Sequence, residues 1–418
     1  MSSTVEFPLT ACQEKALGLL ESVENVFLTG VAGSGKSYLL QHYLKNKDPK
    51  SYPVVASTGA AAVLINGVTF HSFFSLGIME GGLEKTIERA LKDKRVKKRL
   101  KKVKALVIDE VSMISGITLE AAETISRMAR ESTAPWGGIK IIAVGDFGQL
   151  PPVSFGSRPK DWAFQSSTWK NSQFKIAYLN TVMRSKEESF LQVLNFIRNG
   201  QINDIVTKFL DSKVRKPEAG FTGTILFPHR QSVEDYNLKE LQNLPGEVMT
   251  FKTEYVGNEK FLDAMKKASP IPEVLQIKIG ALVMIRKNDP MLNYVNGSLG
   301  IVKSAKVGEL KIKLLSGRTV TLEPESFSYM NAEGEVVSSA QNFPINLAWA
   351  TTIHKSQGVT LDAATMDLSR VFEAGQAYVA LSRVRSSDQL YISAWRPQAI
   401  QASKEVASFH AEILKESN

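Results

Sequence analysis

Residues 30–37 read GVAGSGKS and directly follow the apolar run Val26-Phe27-Leu28. The spacing G-x-x-x-x-G-K-[ST] after a strand is typical of a phosphate-binding loop, because the glycines let backbone N–H groups converge in front of a helix N-terminus. In such a loop the Lys36 ammonium reaches the β- and γ-phosphates, and the Ser37 hydroxyl binds Mg²⁺. An ordinary glycine-rich turn is the alternative, which the flanking strand and helix disfavour. The residues predicted to bind a nucleoside triphosphate are Gly30, Gly33, Ser34, Gly35, Lys36 and Ser37.

The chain has 418 residues, more than one hydrophobic core usually holds, which predicts two to four domains. Lysine and arginine number 51 against 42 acidic residues, and this net charge of +9 fits a polyanionic partner. The one cysteine, Cys12, excludes internal disulfides and cysteine-based zinc or iron–sulfur sites. No apolar run has the length of a membrane helix, and residues 1–9 have no signal-peptide pattern. We expect an intracellular protein without membrane contact, in the cytoplasm or nucleoid if its source is prokaryotic or viral.

Short apolar runs alternate with helical stretches over the first 180 residues. Continuous apolar strands separated by helices favour a parallel sheet that is covered on both faces. In such folds, ligands bind in the loops at the carboxyl ends of the strands. The predicted strands are Asn25–Leu28, Pro53–Ala56, Ala105–Ile108, Ile139–Val144 and Lys175–Leu179.

The pattern changes in residues 250–345, where β-rich runs are separated by glycine and asparagine turns. Leu310-Lys311-Ile312-Lys313-Leu314 alternates apolar and charged residues, as half-buried antiparallel strands do. A small β-barrel inserted into an α/β chain fits this segment. From Asn346 the α/β pattern returns, so we expect a second α/β unit that is split by the insertion.

Residues 92–104 contain nine basic residues in thirteen positions, opposed only by Asp93. A solvated basic face is common on helices and usually has no partner. Nine charges this dense cover most of a helix, which favours contact with phosphates. We therefore predict that Lys97 and Lys101 lie on a nucleic-acid-binding surface.

Two carboxylates, Asp109 and Glu110, follow the apolar run 105–108. We predict that Asp109 holds Mg²⁺ beside Ser37 and that Glu110 polarises the water that attacks the γ-phosphate. An apolar strand that ends in Asp-Glu is common. Its place after a phosphate-binding loop gives the pair this interpretation.

A further strand-to-loop motif spans residues 145–153, GDFGQLPPV. The Gln149 amide offers both a donor and an acceptor, so it can bond a γ-phosphate oxygen and the attacking water together. Pro151 and Pro152 stiffen the segment beyond it. Gln149 is therefore predicted to act in catalysis.

Arg184 and Arg383 are predicted to complete the nucleotide site from the far side of a cleft between two α/β units. Positive charge at that position would offset the charge on the departing phosphate. Either arginine alone would more often be a surface ion-pair partner.

Polar side chains also cluster in residues 351–360, TTIHKSQGVT, and such groups suit a phosphodiester backbone. Thr58 and the run 71–74, HSFF, likewise place hydroxyl and aromatic groups after predicted strands. Taken singly, Phe73 and Phe74 are more typical of a core than of a platform for base stacking.

As an ordered set, these motifs resemble superfamily-one helicases, and most closely the petite-integration-frequency (PIF) helicases. The resemblance covers nearly the whole chain. PWGG at 135–138 and GVTFHSFF at 67–74 look like the signature of the PIF family. The motifs that carry the resemblance are Leu9–Gln13, residues 30–37, Ser57–Ala62, Asp109–Met113, Gly145–Val153, Arg184, Thr351–Gly358 and Ala380–Arg383.

The resemblance implies an α/β fold with two RecA-like P-loop domains of parallel sheets that flank one ATP site. Residues 1–180 would form the first domain, with a small wedge at about 74–102. Residues 181–249 and 344–418 would form the second, and residues 250–343 an inserted SH3-like β-barrel.

The same resemblance implies roles for further residues. Gln13 would read adenine, and Gly358 would contact the nucleotide. The implied cofactors are ATP and Mg²⁺, and the implied partners are single-stranded DNA and forked duplex DNA, bound by a protein that is monomeric in solution. Roles in DNA repair, DNA recombination and telomere maintenance are also implied. The residues that would contact DNA are Thr58, His71, Phe73, Pro151, Thr352, His354, Lys97 and Lys101.

We therefore expect an ATP-driven helicase that moves 5′ to 3′ on single-stranded DNA, with the direction taken entirely from the resemblance. A RecD-like or Dda-like helicase is the nearest alternative. A nucleotide-gated clamp that grips single strands without processive unwinding is the alternative from another class. Glu110, Gln149, Arg184 and Arg383 together disfavour the clamp, which has no need of all four groups.

Overall fold

The computed structural model describes residues 8–77, 79, 81–152, 159–185, 187–218, 221–289, 291 and 293–417. In this part of the chain, no helix combines the length and the apolar composition that crossing a membrane requires. Val153, at the end of the predicted 145–153 motif, lies outside the described residues, as do Ile78 and Glu80 of the predicted wedge.

A six-stranded parallel sheet, the first sheet, confirms the prediction made from the apolar runs of residues 1–180. All five predicted runs fall on strands, and a sixth strand of only two residues was missed because it is too short to show a pattern. The strands are β1 (Val26–Gly30), β2 (Val54–Ala56), β3 (Val68–Thr69), β4 (Ala105–Asp109), β5 (Lys140–Val144) and β6 (Lys175–Leu179). They lie in the order β3-β2-β4-β5-β1-β6. All five residues of β1 are buried, as expected for a strand covered on both faces.

Eight α-helices lie among the described residues of the same part of the chain. Thr10 begins α1 with a capping box, in which its hydroxyl accepts the N–H of Gln13 and the Gln13 side chain accepts the N–H of Thr10. The core between the helices and the first sheet, which we call the first core, includes the aromatic side chains of Phe27, Trp136 and Phe147. The helices are α1 (Ala11–Glu21), α2 (Lys36–Leu44), α3 (Gly59–Leu64), α4 (Phe70–Phe73), α5 (Gly82–Lys92), α6 (Lys94–Leu100), α7 (Gly116–Arg130) and α8 (Ser167–Asn171).

Helices α5 and α6 occupy most of residues 74–102, the range of the predicted wedge. Their inward face packs in the first core through Ala90, Val96 and Leu100. All seven lysines between residues 92 and 104 are exposed. The dense charge of this segment is therefore compatible with a helix that is apolar on one face only.

After residue 185 the chain forms α9 (Glu188–Arg198), α10 (Asp204–Lys213), β7 (Thr224–Phe227) and α11 (Arg230–Asn243) and then enters the insertion. The insertion has one helix and ten strands among its described residues. These are β8 (Met249–Lys252), β9 (Glu254–Gly257), α12 (Glu259–Ala268), β10 (Val274–Ile277), β11 (Leu282–Ile285), β12 (Leu299–Lys306), β13 (Glu309–Leu314), β14 (Thr319–Leu322), β15 (Glu325–Met330), β16 (Val336–Asn342) and β17 (Ile345–Leu347).

Antiparallel pairing dominates the insertion, as its sequence pattern predicts. Five strands pair in the order β14-β13-β12-β11-β17, three in the order β15-β16-β9, and β10 pairs with β8. Buried and non-buried residues alternate along β13, which confirms the half-buried strand predicted at 310–314. An SH3-like closure of these strands stays a prediction.

A four-stranded parallel sheet, the second sheet, combines β7 with β18 (Ala350–Thr352), β19 (Ala364–Asp367) and β20 (Leu390–Ala394). The order is β18-β7-β19-β20, so strands from both sides of the insertion pair with each other. Among the described residues of this part of the chain, the α-helices are α13 (Gln376–Leu381) and α14 (Lys404–Ser417).

Helix α14 lies against the first sheet, although residues 344–418 are predicted together as part of the second domain. Val406 and Ile413 pack in the first core. The Phe409 ring stacks on Phe164 with 4.4 Å between the centroids. The end of the chain therefore ties the two sheets together.

Candidate nucleotide and nucleic-acid sites

The phosphate-binding loop lies between β1 and α2, where the sequence predicts it. Gly33 and Gly35 have positive φ angles of +82° and +86°, a backbone conformation that favours glycine. The Lys36 ammonium donates to the carbonyl oxygens of Gly30 at 2.8 Å and Val31 at 3.2 Å. Burial lowers the pKa of Lys36, and the nearby Asp146 and Glu110 carboxylates oppose this shift. The ammonium is thus held at the loop among acidic groups.

Two hydroxyls of this loop fit a phosphate and a metal ion. The Ser34 hydroxyl is buried and has no hydrogen-bond partner among the described residues. Ser37 lies in the first turn of α2, and its side chain is exposed. A buried unpaired hydroxyl is costly, and a phosphate oxygen would satisfy it.

Asp109 and Glu110 stand at the carboxyl end of β4. Glu110 has a left-handed backbone with φ +52°, and its N–H donates to Asp109 Oδ1 at 3.0 Å. Burial, with the Glu110 charge beside it, raises the pKa of Asp109 to about 7. Burial also raises the pKa of Glu110, while Lys36 and Arg383 act to lower it. Two carboxylates destabilised by burial are a hard oxygen donor set that suits Mg²⁺.

Gln13 and Gln149 approach the loop from two other elements. The Gln13 amide donates to the Ser34 carbonyl oxygen at 3.4 Å, and a Cβ at Gly35 would lie 2.5 Å from Gln13 Nε2. Gln149 is buried at the end of a turn in which its N–H donates to the Asp146 carbonyl oxygen at 3.0 Å. Gln13 is therefore placed next to the phosphate-binding loop, and Gln149 lies in the turn after β5.

Arg184 lies directly beside the phosphate-binding loop. A Cβ added at Gly33 would lie only 2.6 Å from Arg184 Cβ, so the two residues are in close contact. The N–H of Met183 also donates to the Gly33 carbonyl oxygen at 2.8 Å. The guanidinium donates to the Thr360 hydroxyl at 3.1 Å and to the Ser382 carbonyl oxygen at 2.6 Å. Burial lowers the pKa of Arg184 to about 9, so it keeps its charge at neutral pH.

Arg383 is 1% exposed and is held by its own part of the chain. Its guanidinium donates to the Val379 carbonyl oxygen at 2.7 Å, to the Ser382 hydroxyl at 2.7 Å and to the Ser356 carbonyl oxygen at 3.3 Å. Burial lowers its pKa to about 10, and the Glu110 charge acts in the opposite direction. Arg383 is thus a buried cation that interacts with Glu110, whereas Arg184 is half-buried beside the phosphate-binding loop.

Gln357 was not singled out from the sequence, yet it bridges the two sheets. Its amide donates to Glu110 Oε2 at 3.0 Å. The next residue, Gly358, has φ +75° and open space around the position of a Cβ. This contact places the 351–360 loop at the carboxylates as well as at the end of β18.

Four of the residues predicted to contact DNA lie at or just beyond strand ends. Thr58 is exposed where it caps α3 after β2, and His71 is half-buried on α4 after β3. Thr352 ends β18, with its hydroxyl accepting the N–H of Lys355, and His354 is exposed two residues later. Because β2 and β3 are neighbours in the first sheet, Thr58 and His71 lie on the same edge of that sheet.

Phe73 and Pro151 are buried, and their contact with DNA stays a prediction. Phe73 is 1% exposed, packs in the first core, and has the Arg99 guanidinium 5.0 Å from its ring centroid. Pro151 is enclosed directly after the Gln149 turn.

The basic segment divides into two kinds of residue. Arg95 pairs with Asp93, and Arg99 is buried and pairs with Glu333 of the insertion. Lys97 and Lys101 are exposed, as predicted. The lysines thus remain on the surface, while Arg99 joins α6 to the insertion.

Several proteins and a protein family are similar to this chain. A family model described as PIF1-like helicase matches residues 9–208. The ATP-dependent DNA helicase Pif1 of Bdellovibrio bacteriovorus is 46% identical over 408 residues, which cover 98% of this chain and 93% of that protein. The ATP-dependent DNA helicase PIF1 of Danio rerio is 38% identical over 411 residues, which cover 97% of this chain and 64% of that longer protein.

Two solved structures of a Bacteroides Pif1 helicase extend the comparison. The complex with ADP-AlF4 is 29% identical, with a TM-score of 0.87 and 98% of both chains covered. The complex with ADP-AlF3 and single-stranded DNA is 30% identical, with a TM-score of 0.66 and the same coverage. The arrangement described above is therefore more similar to the first of these structures.

Proposed function

This chain belongs to the PIF1-like helicase family, and we propose from that membership and from its nucleotide site that it is an ATP-dependent DNA helicase. The observation that carries the proposal is the place of Arg184 beside Gly33 of the phosphate-binding loop. Arg184 also bonds Ser382, which follows α13 beside the second sheet. Contact with the nucleotide would therefore depend on how the two sheets are placed.

The nucleotide site has groups for each task in phosphoryl transfer to water. Lys36 and the loop N–H groups would bind the phosphates, and Gln13 would contact the base. Ser37 and Asp109 would hold Mg²⁺, which neutralises phosphate charge when it is bound. Glu110, whose pKa is raised by burial, would orient the attacking water and accept its proton.

The second sheet would supply charge and respond to hydrolysis. Arg184 and Arg383 would offset the charge that develops on the departing phosphate, because Arg184 lies beside the phosphate-binding loop and Arg383 interacts with Glu110. Loss of that phosphate would remove their shared contact and let the cleft open. Alternating closure and opening would move the chain along a strand bound at both sheets.

Single-stranded DNA would run along the strand ends that hold Thr58, His71, Thr352 and His354. Hydroxyl and imidazole groups suit phosphate and sugar contacts. Helix α12 of the insertion packs on α3 through Met265, Ala268 and Val63, so the insertion lies beside this path. A Pif1 helicase related to this chain has been solved with single-stranded DNA, which supports the same partner here.

Movement from 5′ to 3′ is proposed from the family resemblance. The test is strand displacement on two duplexes that differ only in having a 5′ or a 3′ single-stranded tail, with ATP and Mg²⁺. We expect unwinding from the 5′ tail alone and none with Lys36→Ala, because the alanine has no ammonium for the phosphates.

The other outcomes separate the alternatives. Unwinding only from the 3′ tail would keep a motor and reject the direction. Absence of unwinding, with ATP hydrolysis still stimulated by single strands, would favour a translocase or a nucleotide-gated clamp. Single-strand binding by Lys36→Ala without nucleotide serves as the control that this variant is folded.

The exposed lysines of α6 and the turn after it would contact duplex phosphates at a fork. Reversing Lys97, Lys98, Lys101 and Lys102 to glutamate is expected to flatten the salt dependence of forked-DNA binding. Each phosphate contact that is lost should lower the slope of log K against log salt by about 0.9 on duplex DNA. The measurement is a binding titration at several salt concentrations.

A matched variant carries glutamate at four exposed lysines of the insertion. These are Lys303, Lys306, Lys311 and Lys313. We expect a clearly smaller change in slope for this variant, although its net charge is the same. An unchanged slope in the α6 variant, or an equal change in both, would remove the lysine surface from the proposal.

A monomer in solution is also proposed, together with an intracellular location, where ATP and DNA are present. Light scattering with and without forked DNA would measure the mass of the protein. A related Pif1 helicase has been described as two coordinating copies at forked double-stranded DNA, at 30% identity, so a second copy on the fork is an outcome to expect from that measurement. Roles in repair, recombination and telomere maintenance remain predictions of the family resemblance.

A further inference from the structure

A buried polar cluster joins the two sheets beside the nucleotide loop. Asp146 is 0% exposed, and its Oδ1 accepts from Arg198 Nε at 3.0 Å and Arg198 Nη2 at 2.7 Å. Its Oδ2 accepts from the Tyr378 hydroxyl at 3.3 Å. Arg198 and Tyr378 are 3% and 2% exposed, so water does not separate these groups. The cluster consists of Asp146, Arg198 and Tyr378.

The three residues come from different parts of the fold. Asp146 lies in the loop after β5 of the first sheet. Arg198 ends α9, and Tyr378 lies on α13, and these two helices pack together in the core of the second sheet. The ion pair therefore crosses between the sheets, and separating them would leave two buried charges without partners.

The cluster reaches the nucleotide loop through Ala32. The Tyr378 hydroxyl accepts the backbone N–H of Ala32 at 2.8 Å while it donates to Asp146. Ala32 is the residue before Gly33, against which Arg184 packs. One hydroxyl from the second sheet thus fixes a backbone group of the phosphate-binding loop.

The cluster also fixes the turn that carries Gln149. Asp146 Oδ1 accepts the N–H of Gly148 at 3.0 Å, and the Asp146 carbonyl oxygen accepts the N–H of Gln149 at 3.0 Å. The packing around this turn is tight, because a Cβ added at Gly148 would lie only 2.7 Å from Arg198 Cγ. A Cβ at Gly375, which begins α13, would lie 2.2 Å from the Gln149 carbonyl oxygen.

His410 of α14 supports Arg198 from the other side. Its Nε2 lies 3.1 Å from Arg198 Nη2. Burial and the Arg198 charge lower the pKa of His410 to about 3, so at neutral pH the ring is uncharged and accepts this hydrogen bond. Helix α14 packs on the first sheet. Arg198 therefore contacts two residues from that side, Asp146 and His410.

We propose that Asp146, Arg198 and Tyr378 are positioning residues that make the geometry of Ala32 and Gln149 depend on the placement of the second sheet. None of the three side chains acts on phosphate. When the sheets separate, Tyr378 leaves Ala32 and Arg198 leaves Asp146, so the loop and the Gln149 turn lose their support. Hydrolysis is thereby confined to the closed arrangement. This inference rests on the proposed ATPase.

The test is steady-state ATP hydrolysis by the full chain with single-stranded DNA. Tyr378→Phe removes one oxygen and keeps the buried ring. We expect kcat to fall about tenfold, with KM for ATP and affinity for single-stranded DNA unchanged, because the variant keeps every group that contacts nucleotide. Tyr391→Phe, at another buried tyrosine of the second sheet, is the matched control and should keep the kcat of the unaltered protein.

A second measurement distinguishes positioning from a general loss of packing. If Tyr378 acts through the Gln149 turn, adding Tyr378→Phe to Gln149→Ala should lower kcat only slightly further. If the two residues act independently, the two reductions in kcat should multiply. Arg198→Lys, which keeps the charge but loses the two-pronged contact, should behave in the same way.

The outcomes separate this inference from the function on which it rests. Unaltered kcat in Tyr378→Phe, or a loss equal to that of Tyr391→Phe, would overturn the positioning role. Multiplicative losses with Gln149→Ala would overturn the part of that role that acts through the Gln149 turn. Absence of DNA-stimulated hydrolysis in the unaltered protein would instead overturn the proposed ATPase.

Discussion

Arg184→Ala is expected to lower the kcat of DNA-stimulated ATP hydrolysis by a factor of about 10³ or more, the usual effect of removing an arginine that stabilises charge in phosphoryl transfer. The side chain lies beside Gly33 and bonds Thr360 and Ser382. Alanine therefore removes the charge and also a link between the loop and the second sheet. The measurement is steady-state hydrolysis at saturating single-stranded DNA.

Arg385→Ala is the matched control for this experiment. Arg385 is largely exposed, and its nearest described acidic partner is Asp362 at 4.0 Å. A pair of this kind contributes little, so hydrolysis should stay close to that of the unaltered protein. Arg184→Lys adds a second comparison, because it keeps a charge without the planar geometry of the guanidinium. Retained turnover in Arg184→Ala would remove this residue from the catalytic site.

Glu110→Gln is expected to reduce the same kcat by a factor of about 10² to 10⁴, the range for losing a general base. Glutamine has nearly the same shape and can still accept the hydrogen bond from Gln357, so the link to the 351–360 loop survives. ATP binding should be kept or strengthened, since a buried negative charge near the phosphates is gone. Nucleotide binding and single-turnover hydrolysis measure the two effects separately.

Glu123→Gln provides a comparison outside the site. Glu123 pairs with Arg127 on the same face of α7 and accepts the N–H of Trp136. Its replacement should affect stability and leave kcat close to that of the unaltered protein. Turnover by Glu110→Gln at the normal rate would show that another group accepts the proton.

The strands of the first sheet could be predicted because a strand covered on both faces is mostly apolar. All five residues of β1 are buried, and of these the side chain of Thr29 is polar. The same rule fails for β3, whose two residues carry no pattern. The antiparallel strand at 310–314 was also predictable, because alternation places every second side chain in the core.

The packing of Phe73 is a contact that the sequence does not show. The run 71–74 offers two adjacent aromatic rings, and only the packing of α6 decides which faces they present. Arg99, 26 residues further along, covers Phe73 and pairs with Glu333 of the insertion. No pattern within residues 67–74 contains that information.

The chemistry of this protein could be read from contiguous residues. The spacing of residues 30–37, the acidic pair Asp109–Glu110 and the 145–153 motif each depend on one strand and the loop after it, so local order carries the signal. Tertiary structure alone brings Arg198, Tyr378 and His410 to Asp146, over separations of 52 to 264 residues. These side chains are buried, and a buried charge is stable only where distant elements supply its partner. The reacting groups are therefore visible in the sequence, while the contacts that couple the two sheets are decided by packing.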